Sequence, residues 1–232
     1  MASIMQPLTV CNELALPQLE NGDHLTQPTF HSRYEAMPED FRAELIGGIV
    51  YLGFRVTSAH GRMTARLLHW LGIYDQLTPG VEALARTTIL LGEFSEPEPD
   101  ACLLVRPERG GTARENADGY LQGPPELIVE VASSTESLDL HAKKRDYETA
   151  GVPEYIVVAL RQQRVFWFVL RGGSYQEITA ETDGILRSGI FPGLWLDPAA
   201  LLREDRQRLR EVLQQGLATP QHAAFVARLQ GQ

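Results

Sequence analysis

The sequence predicts a single α/β domain in which helices pack on one mixed sheet. Three observations carry that expectation. Short apolar, β-prone runs recur along the chain. Helical periodicities fall between these runs rather than after them all. And 44% of the 232 residues are hydrophobic, enough for one sizeable core.

Each element has its own reason. Residues 1–30 hold Pro7, Pro17 and Pro28 without a sustained period and read as an irregular arm, so the compact domain is expected to begin near Glu35. Met37-Pro38-Glu39-Asp40 reads as a turn followed by a helical start. Residues 43–52 read as two short strands folded back at Gly47-Gly48. Over 58–77, Met63, Leu67, Leu68, Leu71 and Tyr74 recur at helical spacing, with Ser58 as the cap and Thr78-Pro79-Gly80 as the stop. Residues 83–91 and 100–105 read as strands, 106–123 as a long Gly-rich loop, and 126–132 as the clearest buried strand. A helix over 137–150 ends at Gly151, a typical residue just past a helix C-terminus. A strand follows at 154–160, and 164–170 pairs with 174–178 across Gly172-Gly173. Residues 203–217 and 221–229 read as closing helices, the first with an apolar stripe of Leu209, Val212, Leu213 and Leu217.

Composition excludes several classes. A net charge of −9 argues against tight nucleic-acid binding through bulk charge, though it permits a local basic face. No run reaches ~18 apolar residues, so no membrane-spanning helix is expected. Residues 1–19 lack the basic-then-apolar order of a secretory signal. Cys11 and Cys102 form neither a disulfide framework nor a metal pair, so a cytoplasmic address is expected. Dinucleotide, P-loop, zinc-protease and serine-hydrolase signatures are absent.

The chemistry lies in acidic residues placed in strands. Glu130 interrupts the apolar run 126–132, where a carboxylate is costly to bury unless it is paired or bound to a cation. Asp100 opens another apolar strand. If the two strands are neighbours, these side chains lie about 5 Å apart at Cβ and repel unless a cation sits between them; Mg²⁺ or Mn²⁺ suits oxygen ligands. Of the 21 basic residues only Lys143 and Lys144 are lysines. Asp139, Lys143 and Tyr147, at intervals of four, share one face of the helix that follows the Glu130 strand. A metal, acidic ligands and an ammonium together are the apparatus of phosphodiester hydrolysis. The bland alternatives are a Glu130 facing solvent or paired with an arginine, and an Asp139–Lys143 surface salt bridge.

A longer series adds to this reading. Ala43-Glu44-Leu45-Ile46 with Gly48 is followed by His60, then Glu98-Pro99-Asp100, then Leu127-Ile128-Val129-Glu130-Val131 with Ser133 and Thr135. Next come Asp139, Lys143 and Tyr147, then Gly151-Val152-Pro153-Glu154-Tyr155, and finally Ser188-Gly189 with Phe191-Pro192-Gly193-Leu194. This order resembles the Uma2 family (DUF820) of restriction-endonuclease-like proteins in the PD-(D/E)XK nuclease superfamily. The resemblance implies a restriction-endonuclease-like mixed β-sheet core flanked by helices over residues 35–202. Residues 1–34 would then be an N-terminal arm and 203–232 a helical extension. It implies Glu44, Asp100, Glu130 and Lys143 as catalytic residues, with Mg²⁺ or Mn²⁺ held by Asp100, Glu130 and Glu44, and DNA as the substrate. The superfamily's usual spacing would put the lysine at 132, which is Ala132 here, so the resemblance assigns that role to Lys143. The chain also has Gly47 and Ala159 where family members often carry aspartate.

Two other readings share these residues: a non-catalytic interaction or regulatory protein on the same fold, and a hydrolase of small phosphodiesters. A homodimer is expected, because restriction-type enzymes often cut duplex DNA with paired sites. Lys143→Ala is expected to abolish cleavage while leaving folding largely intact. Lys144 is expected to face away toward Glu148 and to matter little.

Overall fold

Alternating side chains along the apolar strands require cover on both faces of any sheet they build, and helices supply it. The computed structural model describes residues 16–53 and 55–231. It begins with α1 (Gln27–Glu35), the hairpin strands β1 (Ala43–Ile46) and β2 (Ile49–Leu52), and the long helix α2 (Ser58–Leu77). Strands β3 (Val81–Ala85), β4 (Ile89–Leu90), β5 (Ala101–Val105), β6 (Arg114–Glu115), β7 (Leu121–Gln122) and β8 (Leu127–Ala132) follow. A π-helical stretch (Leu138–Lys143) runs directly into α3 (Lys144–Ala150), and then come β9 (Glu154–Ala159), β10 (Arg164–Arg171) and β11 (Ser174–Glu177). The chain continues through β12 (Leu186–Arg187), β13 (Trp195–Leu196), α4 (Pro198–Leu202), α5 (Arg206–Leu217) and α6 (Pro220–Gln230).

The central sheet has six strands in the order β11-β10-β9-β8-β5-β3. Only β8 and β9 run parallel, and the helical crossover containing α3 makes that pairing possible. The pleat sorts the side chains. Ala101, Leu103, Val105, Val129 and Val131 face a core shared with α2, α5 and α6. Cys102, Leu104, Ile128 and Ala132 face a second core with Tyr147 of α3. Burial pushes the Cys102 thiol up to about 12. A third, smaller core joins Phe30 of α1 to Leu45 and Val50 of the hairpin. Among the described residues no helix is long and apolar enough to cross a membrane.

The mixed sheet, the hairpin, the helix over 58–77 and the strand over 127–132 match the sequence reading. Several details differ. Part of the segment read as irregular forms α1, fixed by the buried Glu96 carboxylate, which binds Gln27 Nε2 and His31 Nδ1 at 2.8 Å each. Residues 38–40 turn without starting a helix. The cap of α2 is Thr57 rather than Ser58; its hydroxyl accepts the His60 N–H at 3.3 Å. The strand expected over 83–91 breaks at Arg86, whose φ of +50° cannot continue a strand. The expected loop 106–123 contains a short 3₁₀ turn and strands β6 and β7, which form a small sheet with β4. Residues 1–15 of the expected arm, Cys11 included, lie outside the described residues.

Candidate active site

The functional side chains converge at one end of the central sheet. In the antiparallel β5–β8 ladder Ala101 is opposite Val129, so Asp100 falls opposite Glu130 one step further on. Asp100 itself precedes the strand. Its Oδ2 accepts the Val131 N–H at 2.8 Å and extends the ladder by one bond. By the same parity Asp100 and Glu130 leave the face that carries Cys102 and Ile128, the face covered by α3. The hairpin brings Glu44 across from its own small sheet, and the π-helical stretch brings Asp139 and Lys143.

Lys143 is the centre of the arrangement. Its side chain is 5% exposed, and Nζ lies 2.9 Å from Glu44 Oε1, 2.9 Å from Glu130 Oε1 and 4.0 Å from Asp139 Oδ1. Tyr147 donates its hydroxyl to the same Glu130 oxygen at 3.0 Å. The Glu98 N–H fixes Glu44 Oε1 at 2.8 Å. His60, at the first turn of α2, places Nε2 3.2 Å from Asp100 Oδ2, and its Nδ1 meets the Thr64 hydroxyl at 3.3 Å. All these acids, Lys143 and His60 line one cavity of about 380 Å³ together with Arg42, Arg55 and Arg86.

Electrostatics follow from burial. Desolvation pushes Glu130 well above the ordinary carboxylate range; Lys143 pulls it back, and Asp139, Asp100 and Glu44 push it further up. Asp139 is raised for the same first reason. Burial alone would favour a neutral Lys143, but Glu130, Glu44 and Asp139 outweigh it and hold the ammonium charged. Beside the cluster, burial raises Asp146 to about 6, against the hydroxyl bond it receives from Ser95.

The structure thus brings together the four expected residues, Glu44, Asp100, Glu130 and Lys143. It also adds Asp139, His60 and Tyr147 to the group. The Asp139–Lys143 pair is buried, which sets aside the alternative of a surface salt bridge. With that burial, the expectation that Lys143→Ala leaves folding intact gives way: the substitution would strand three carboxylates without their counter-ion. Lys144 does share a face with Leu140 and Glu148, but its ammonium lies over the Phe168 ring at 4.0 Å, and Glu148 accepts the Tyr175 N–H instead. His60 was visible in the sequence only as a matched residue. The helix read from Ser58 already puts it at a helix start, but nothing in the sequence pattern ties it to Asp100.

The residues suit a hard divalent cation by donor chemistry. Glu44, Asp100 and Glu130 each take their hydrogen bonds on one oxygen, so among the described residues the second oxygen of each has no protein donor. Three carboxylates, Glu44, Glu130 and Asp139, face a single ammonium. Among the described residues, though, no three His, Cys, Asp or Glu side chains are gathered closely enough to hold a metal ion, and the Lys143 ammonium stands between Glu44 and Glu130.

Comparison with known proteins agrees with this architecture. No curated protein matches the chain. A crystal structure of a "putative nuclease belonging to DUF820" from Anabaena variabilis ATCC 29413 superposes with a TM-score of 0.52 at 14% identity. The match covers 74% of this chain and 97% of that one, and at such identity it is a likeness of fold. The family model for Uma2, described as "Putative restriction endonuclease", matches residues 29–199, a span that contains the whole acidic cavity with the contributions of the hairpin and the π-helical stretch, and the chain belongs to that family.

Proposed function

We propose that the protein is a metal-dependent endonuclease that hydrolyses DNA phosphodiester bonds. The observation that carries this reading is the Glu44–Lys143–Glu130 cluster, with Asp100 on the same cavity. Asp100 and Glu130, with Glu44 through its free oxygen, are the residues that would hold Mg²⁺ or Mn²⁺. The ion would polarise the phosphoryl group and make bound water more acidic. The chain's own groups do the rest. Lys143, kept charged by its neighbours, donates to water or to the phosphate oxygen on which charge grows. Glu44 and Glu130 fix where that ammonium stands. His60 and the Val131 N–H hold Asp100 in one orientation. Arg42, Arg55 and Arg86 supply positive charge at the cavity wall.

A second reading, a non-catalytic protein on this fold, is favoured by one observation: Lys143 already stands between two of the expected metal ligands. Supercoiled plasmid separates the two. With millimolar Mg²⁺ the wild-type protein should nick or linearise it. Asp100→Ala or a chelator should reduce the rate by about a hundredfold or more. A folded, metal-supplied protein that leaves plasmid, single strands and small phosphodiesters intact would support the second reading.

A further inference from the structure

A second cavity, of about 510 Å³, lies along the seam between α2 and α5. Arg62, Arg66 and His69 face it from successive turns of α2, and Arg206 and Arg210 from α5. Among the described residues no Asp or Glu lines it, although the whole chain is acidic. Its floor is apolar, formed by Trp70, Leu209 and Leu213. Ala65 lines both this cavity and the acidic one, so the two share a wall.

Arg66 is held beneath this surface. Its side chain is only 8% exposed, yet Nε and Nη2 make no hydrogen bond. Nη2 approaches Glu204 Oε2 at 2.6 Å but out of hydrogen-bond line, and Glu204 is itself largely exposed. Both nitrogens are closed off from solvent and Glu204 already answers the charge, so the exposed guanidinium groups around this cavity are those of Arg62, Arg206 and Arg210. No ion pair engages Arg62, Arg206 or Arg210 among the described residues. Three like charges without a carboxylate partner around one concavity repel one another unless anions enter.

We propose that this cavity is a subsite for the phosphodiester backbone of the nucleic-acid strand whose scissile bond lies in the acidic cavity. Arg62, Arg206 and Arg210 would take phosphate oxygens, and the apolar floor would receive a sugar or base. The distance suits a strand: His60 and Arg66 are six residues apart on one helix, about 9 Å along its axis, and phosphates of one strand recur within that reach. The subsite explains how a chain of net charge −9 could hold a polyanion locally. It rests on the nuclease reading for its ligand but not for its test.

The test uses the full chain and a fluorescein-labelled 20-nucleotide DNA, single-stranded and duplex, titrated in chelator across a salt series. Arg62→Ala/Arg206→Ala/Arg210→Ala leaves the buried Arg66 in place. It should weaken binding about ten- to a hundredfold near 0.1 M salt and lower the slope of log K against log salt by about 2–3. A control carrying Arg145→Ala/Arg161→Ala/Arg171→Ala, positions that line neither cavity, should bind within about twofold of wild type. Equal losses in the two triple variants, or a wild type that binds neither DNA, would overturn the subsite. Hydrolysis of bis(4-nitrophenyl) phosphate, which reaches only the acidic cavity, gives the second readout. The cavity triple should cut it as fast as wild type while losing oligonucleotide cleavage, and a parallel loss on both substrates would overturn the subsite. If neither substrate is cut by any form, the nuclease reading fails, and the binding curves still decide the subsite.

Discussion

Lys143 shows how much one side chain holds at this site. Glu44, Glu130 and Asp139 all lean on its ammonium, so Lys143→Ala removes the charge that makes their burial tolerable. At neutral pH without metal the variant should lose about 3 kcal/mol of stability in urea unfolding. The gap should narrow toward pH 4, because carboxylates that are already protonated gain nothing from the ammonium. An unchanged unfolding midpoint at pH 7 would remove the cluster from the account. Asp146 gives the opposite sign. Its carboxyl holds a proton up to about 6 in the folded protein, whereas the unfolded chain releases it near ~4. Folding therefore loses stability as pH climbs between those values, and the cost is complete above pH 6. In Asp146→Asn that cost is gone. The variant's stability relative to wild type should improve from pH 4 to 6, by up to about 3 kcal/mol, and then stay level. A difference independent of pH would show that Asp146 ionises normally. Both residues were readable in the sequence as types, but their burial was not, since it depends on a hairpin and a helix closing over the same strand end.

The elements divide by how long their patterns run. The α2 helix and β8 carry enough residues for a period or an apolar run to stand out, and the structure has them where the sequence places them. Strands β6 and β7, two residues each, have no period to read, and they form because β4 offers a partner. The π-helical stretch before α3 was not legible either, since one widened turn leaves composition unchanged. It was still possible to place Lys143 beside Asp139, because both the α and the widened spacing leave the two ends of the interval on adjacent faces. A helix can also be limited by its seat rather than its propensity. Gly216 lies inside α5, where alanine would ordinarily favour the helix by about 1 kcal/mol. Yet a Cβ there would meet the Gly193 carbonyl oxygen at 2.2 Å, and one on Gly193 would meet the Gly216 oxygen at 2.7 Å. Gly216→Ala should thus destabilise the protein, by about 2 kcal/mol through forced separation of α5 from the β12–β13 loop. A stabilised variant in thermal unfolding would mean that α5 is free to shift.

At the scale of the whole molecule, the apolar stripe read along α5 is used within the chain. Leu209, Val212 and Leu213 are buried, and Leu209 and Leu213 join the core beneath α2. A homodimer would have to form through another face. The fold class was legible because it follows from alternation and order of elements, whereas the second cavity was not, since Arg66 and Arg210 are 144 positions apart and only packing joins them. Cys102 offers a clock for this packing. It sits in β5 two residues from Asp100, sealed between β3 and β8, with a thiol that burial keeps protonated far above neutrality. Only the thiolate reacts with an aromatic disulfide, so labelling must await an opening of the central sheet. In a Cys11→Ser background the labelling rate therefore times that opening, one molecule at a time and without denaturant. A divalent ion that ties Asp100 to Glu130 would bridge the strand that carries the thiol to its neighbour β8 and slow the clock, with no substrate present. Labelling at the rate of a free thiol would mean that this edge of the active site opens on its own.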